Sequence, residues 1–168
     1  MSNQYLVQVA PDFQQRYPGA NPRATECAMN LVHTTELLLS RIAQLLQPFD
    51  LTPSSALVLS MLANSSEPLS PSEIASRLIT SRATVTSLLD SLERRRYVRR
   101  RPHPTDRRML LIEPTKKGRQ IAEQFLPIVH SHQREWFEAF DVEEQGLMLD
   151  LLQRLQGILS VEPDKAGE

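Results

Sequence analysis

Apolar residues return every third or fourth position from Ala24 to about Pro48, at Leu31, Leu38, Leu39, Ile42, Leu45 and Leu46. That spacing predicts a long amphipathic helix, opened by Asn21 as N-cap and by Pro22 in the first helical position. Thr52-Pro53 restarts a helix whose stretch from Ala56 to Ala63 is apolar almost all round, so it should be buried. After the loop "NSSEP", the segment "SPSEIASRL" places Ser70, Pro71 and Glu73 in the order of a capping box with a proline opening. Ile74, Ala75 and Leu78 should face the core. A brief turn at Ile79-Thr80 leads into "SRATVTSLLDSLERR", with Val85, Leu88, Leu89 and Leu92 at i, i+3, i+4 and i+7. The opposite face of that helix carries Ser81, Arg82, Thr84, Thr86, Ser87 and Ser91.

The period then breaks. In "YVRRRPHPTDRRMLLIEP", Tyr97-Val98 and Met109 to Ile112 read as two short strands, joined by a turn through Pro102, Pro104, Thr105 and Asp106. Helical spacing resumes after Thr115 with Ile121, Phe125, Ile128, Val129, Trp136, Phe137 and Phe140, and Pro127 predicts a kink. Asp141 begins a last helix with Leu147, Met148, Leu151, Leu152, Leu155 and Ile158. The first twenty-odd residues, with Pro11, Pro18, Gly19 and Pro22, read as an arm with a short helical piece. "VEPDKAGE" reads as a frayed tail.

Composition narrows the class. A chain of 168 residues is one domain, or one domain with appendages, and buries a core without staples. Its 5 glycines and its Leu-rich apolar set favour helices over a β-sandwich. No apolar run is long enough to span a membrane, and the N-terminus lacks the pattern of a secretory signal. The single cysteine, Cys27, has no internal disulfide partner, and a cytoplasmic protein is the simplest expectation. His33, His103, His130 and His132 have no metal-ligand spacing, so no metal and no cofactor is expected. There is no phosphate-cradling glycine loop, paired acid motif or nucleophile elbow, so the chain does not read as an enzyme.

Charge is distributed unevenly. Between Arg94 and Arg108, eight arginines stand against one acid, a local +7 in a chain of net charge −1. Two helices in tight succession, the second polar on its outer face, fit a helix-turn-helix, and the basic hairpin behind them fits a wing. The expected fold class is therefore mostly α with a small β wing: a winged helix-turn-helix lobe plus N- and C-terminal dimerisation helices. The expected limits are 1–22 for the arm, 23–50 and 116–160 for the dimerisation helices, 51–115 for the lobe and 161–168 for the tail. Helices 24–48, 116–140 and 142–159 carry more Leu, Phe and Trp than the small lobe can cover, which independently supports a homodimer.

The expected partner is double-stranded DNA. Ser81, Arg82, Thr84, Thr86 and Ser87 on the second helix, together with Ser70, would meet bases or phosphates. Arg99, Arg101, Arg107 and Arg108 would meet phosphates or a groove. Asp106 would aim the neighbouring arginines through a charge-assisted hydrogen bond.

"SPSEIASRL", "SRATVTSLLDSLERRRYVRR" and above all "PTDRRMLLIEPTKKG" resemble the MarR family of winged-helix transcription regulators. The last is similar to the family's wing pattern, here Asp106, Arg107, Arg108, Thr115 and Gly118. Two positions depart from it: Arg96 stands where the family commonly has a glycine, and Pro114 replaces an apolar residue. The resemblance implies a homodimeric repressor on a palindromic operator, often released by a small aromatic effector. His33 and Met61 are the candidates for lining an effector site. Some relatives sense peroxide through a cysteine near the start of the first helix, which makes Cys27 a redox candidate. A winged helix used as a protein-interaction module is the alternative from another class.

Overall fold

The computed structural model describes residues 6–106 and 109–160. Arg107, Arg108, the first five residues of the arm and the 161–168 tail lie outside the described residues. The elements run α1 (Phe13–Arg16), α2 (Pro22–Leu46), a 3-10 turn (Gln47–Phe49), α3 (Pro53–Asn64), α4 (Pro71–Leu78), α5 (Arg82–Arg94), β1 (Val98–Pro102), β2 (Leu110–Pro114), α6 (Lys116–Phe137) and α7 (Val142–Ser160). This is the mostly helical fold with a two-stranded antiparallel wing that the spacing implied.

Helix starts follow the local chemistry. Asn21, Thr52, Ser70 and Ser81 each accept a backbone N–H of the following first turn, as N-caps do. Ser70 and Glu73 form a complete capping box. Asp141 and Glu144 repeat the arrangement before α7: each carboxylate accepts the other residue's N–H, at 2.9 and 3.0 Å.

Three helix ends share another device. Leu51 and Asp50 donate to Leu46 and Gln47; Thr80 and Ile79 donate to Ala75 and Ser76; Tyr97 and Arg96 donate to Leu92 and Glu93. Each pair is a Schellman closure, with a left-handed residue at its pivot. The pivots are Asp50 at φ 53°, Ile79 at 49° and Arg96 at 60°, none of them glycine. The recognition-type helix α5 therefore ends as the family's glycine would end it, although arginine stands there.

The chain divides into two compact units at Leu126/Pro127. In the first, α3 is buried as expected, with Ala56, Val58, Leu59 and Leu62 inaccessible or nearly so. It packs against α2, α5 and β2. Ile74, Val85, Leu89, Leu92, Val98 and Ile112 complete the core, and Phe125 of α6 lies against Phe49 with ring centroids 6.0 Å apart. In the wing, Arg99 pairs with Glu113 and Arg101 with Leu111 in register. Leu69 adds a single antiparallel bridge to Ile112, exchanging N–H···O bonds of 3.0 and 2.8 Å. Tyr97, expected in the first strand, instead sits buried in the helix closure.

The wing joins α6 at a close crossing. Thr115 donates its hydroxyl to the Arg96 carbonyl at 2.7 Å and accepts the Gly118 N–H at 3.0 Å. A Cβ on Gly118 would stand 1.9 Å from the Tyr97 carbonyl oxygen, so only glycine lets the strand pass. This accounts physically for the Thr-x-x-Gly spacing of the sequence.

α6 continues through Pro127 and ends at Phe137, short of the expected Phe140. In the second unit, Gln145 of α7 donates to the carbonyls of Phe137 and Phe140, and those two rings lie 6.1 Å apart. α7 buries no residue: Val142, Leu147, Leu149, Leu151, Ile158 and Leu159 are all more than half exposed. In the first unit, residues 31–40 of α2 are likewise all exposed, including Leu31, Val32, Leu37, Leu38 and Leu39. No described helix is long and apolar enough to cross a membrane.

Candidate nucleic-acid interface

α4 and α5 pack together, and α5 separates its faces cleanly. Val85, Leu89 and Leu92 are buried, whereas Ser81, Arg82, Thr84, Thr86 and Ser87 are exposed. Ser81 and Thr84 hydroxyls are 2.8 Å apart at the helix start. Thr86 and Ser87 donate back to the carbonyls of Arg82 and Ala83, at 2.9 and 3.2 Å. Such bonds hold the hydroxyls against the helix and leave their lone pairs outward. Arg82 makes no ion pair among the described residues. The expected α5 set is thus exposed, from the N-cap Ser81 through the first two turns of the helix.

Ser70 does not join that set. It is buried, and its hydroxyl is committed to the Glu73 N–H inside the capping box.

The arginine run is less uniform than its sequence. Arg95 reaches Asp50, with Nε and Nη2 each 3.0 Å from one carboxylate oxygen, and also donates to Ser91. The Arg95 guanidinium holds the Asp50 carboxyl below its ordinary value, by hydrogen bond and by charge. Arg100 pairs with Asp90 and Glu93 of α5, and its backbone N–H donates to Glu93 as well. This ties the wing to the recognition-type helix. Arg99 and Arg101 both pair with Glu113 on β2. Four members of the run therefore have acidic partners. Those partners, Asp50, Asp90, Glu93 and Glu113, all lie outside the run, so the run's own composition does not reveal them.

At the wing tip, His103 Nδ1 accepts the backbone N–H groups of Thr105 and Asp106, both at 3.3 Å. Asp106 is exposed, and its carbonyl accepts the Met109 N–H at 3.0 Å. Arg107 and Arg108, which Asp106 was expected to aim, lie outside the described residues.

The remaining candidates are separate from this surface. Cys27 is exposed on α2. His33 lines an open groove of about 340 Å³ with Val7, Ala28, Met29, Val32 and Glu36. Met61, half-buried on α3, does not line it. The arm is laid along this part of α2: Asn30 both donates to and accepts from the Val7 backbone at 2.8 Å, and Glu26 accepts the Val9 N–H at 3.1 Å.

Helix-turn-helix, buried-based wing and flanking helices define a winged helix-turn-helix protein. Residues 49–109 match the model of the MarR family. The HTH-type transcriptional regulator SarZ of Staphylococcus saprophyticus is 30% identical over 134 residues, which cover 80% of this chain and 87% of SarZ. The chain belongs to the MarR family. The HTH-type transcriptional repressor YetL of Bacillus subtilis is 41% identical over 96 residues, 57% of this chain and 58% of YetL, so the match spans little more than half of that relative. Among solved structures, the Staphylococcus aureus MepR–DNA complex superposes with a TM-score of 0.74 at 24% identity, covering 77% of this chain and 96% of MepR. CouR of Rhodococcus jostii RHA1 bound to p-coumaroyl-CoA gives 0.72 at 23% identity, covering 86% and 98%.

Proposed function

We propose that this chain is a homodimeric, sequence-specific DNA-binding transcription regulator of the cytoplasm that represses from a palindromic operator. One observation carries the reading: the exposed Ser81, Arg82, Thr84, Thr86 and Ser87 face of α5 stands beside a basic wing that Arg100 ties to that same helix. α5 enters the major groove, Arg82 meets a base edge, and Thr84, Thr86 and Ser87 meet bases or phosphates. The wing contributes Arg107 and Arg108, with Asp106 fixing their direction. The exposed apolar residues of α2 and α7 support a second copy as the cover for those helices, and two copies give recognition helices one DNA turn apart, roughly 34 Å. The limits 23–50 and 116–160 for the dimerisation helices and 51–115 for the lobe belong to this proposal.

A small effector shifts the population toward a half-site spacing that mismatches the operator. CouR, of like fold, was solved bound to p-coumaroyl-CoA, which supports an aromatic group in the effector. Titration of duplexes from its own promoter region and of random duplexes, at several salt concentrations, tests the reading. A steep salt dependence and a preference for the promoter duplex are expected, and Arg82→Ala should lose about 1–3 kcal/mol of that preference. Absence of specific binding to any duplex would sink the proposal and favour a winged-helix protein-interaction module. If Cys27 senses peroxide, Cys27→Ser abolishes peroxide-induced release; release that persists clears it.

A further inference from the structure

The wing has two faces of different character. Val98 and Ile112 point into the core, and Arg100 of the same face reaches α5. Arg99, Arg101 and Glu113 lie on the other face, with Glu113 directly opposite Arg99 in register. The Glu113 side chain is only 14% exposed, whereas those of Arg99 and Arg101 are 69% and 48% exposed. Each carboxylate oxygen serves one arginine: Oε1 accepts from Nε and Nη2 of Arg99, and Oε2 lies 3.3 Å from Nε of Arg101. One acid thus holds two guanidinium groups, and the three charges sum to +1 instead of +2. Glu113 is mostly buried, whereas both arginine side chains stay open to solvent and so within reach of an anionic partner.

We propose that Glu113 is a specificity-determining residue of the wing, holding Arg99 and Arg101 to the sheet and withholding their charge from DNA contacted without regard to sequence. The inference rests on the DNA-binding reading above. Sequence-independent affinity grows with the number of phosphates that a protein neutralises, whereas base-edge contacts carry the discrimination. A phosphate approaching Arg99 or Arg101 has to displace a carboxylate already in place, so it loses one contact as it makes another. Specific binding through α5 is spared this competition. The ratio of specific to random binding rises accordingly.

Glu113→Gln keeps the shape and removes the charge. Its binding to a random-sequence duplex and to the promoter duplex is compared with wild type across salt, alongside Arg99→Gln/Arg101→Gln and the triple variant. Glu113→Gln should bind random duplex several-fold tighter, with a log–log salt slope steeper by about one for each liberated arginine. The promoter-to-random ratio should fall, and the gain should vanish in the triple variant. Glu113→Thr, which suits a strand, should act in the same direction, and thermal melting confirms that both variants fold. Unchanged random-duplex affinity and slope overturn the proposal, as does a gain that survives without the two arginines. Wild-type protein that binds no duplex overturns this proposal and the DNA-binding reading together; wild-type binding with an unaltered Glu113→Gln overturns this one alone.

Discussion

Replacing Arg96 with glycine should make the protein more stable, although it removes a long side chain. Arg96 has φ 60°, a left-handed conformation that costs a residue with a Cβ about 1–2 kcal/mol. Its side chain is exposed, so no burial is forfeited. Its backbone contacts survive the change: the N–H still donates to the Glu93 carbonyl at 2.8 Å, and its own carbonyl still accepts from Thr115 at 2.7 Å. Against the relief stands the greater freedom of glycine in the unfolded chain, about 0.5–1 kcal/mol. The net gain is about 0.5–1 kcal/mol, a rise in Tm of about 1–4 °C for a chain of this size. Arg96→Ala separates strain from charge, because alanine loses the charge and keeps the strain; it should stay within about 0.5 kcal/mol of wild type. Urea unfolding of the three proteins at one fixed concentration measures this, with equal m-values as the check that only stability has moved. If the glycine variant is no more stable than the alanine variant, the strain argument is wrong.

Gly118→Ala should destabilise by about 1–3 kcal/mol, because the new Cβ meets the Tyr97 carbonyl at 1.9 Å and backbone must shift; a melting temperature equal to wild type would refute the close crossing. Glu73 is held below its ordinary value of 4.5 by hydrogen bonds from the Ser70 backbone N–H and hydroxyl. A lowered carboxyl pKa stabilises fully above the unfolded value and is lost as pH falls through the folded value. Unfolding followed downward from about pH 5 should therefore show wild type losing more stability than Glu73→Gln, and parallel curves would contradict this. Arg100→Met leaves Asp90 and Glu93 facing each other without their cation; stability should fall by about 1 kcal/mol and duplex binding should weaken, whereas intact binding would show that the wing needs no tie to α5.

Much of this fold was legible because its signals are local. Asn21, Ser70, Ser81 and Asp141 cap helices using residues no more than three positions away, and the i, i+3, i+4 spacing of Val85, Leu88 and Leu89 sets which side of α5 is buried. The exposed Ser81 to Ser87 set follows from that same period, so the candidate contact face was also readable. Ile79 was harder. A β-branched residue is a poor candidate for a left-handed pivot, and the Schellman bonds to Ala75 and Ser76 hold it there.

The charge pattern separates the two sources of information most clearly. That eight arginines crowd one segment behind a helix-turn-helix can be read directly from the order of residues. Which of those arginines face a partner of opposite charge depends on the folded packing. Asp50 lies 45 residues from Arg95, and Glu113 lies 14 from Arg99. A helix cap or an amphipathic face is fixed within one turn of chain. An ion pair between elements depends on how those elements pack and on the strand register, and neither is written in the residues nearby.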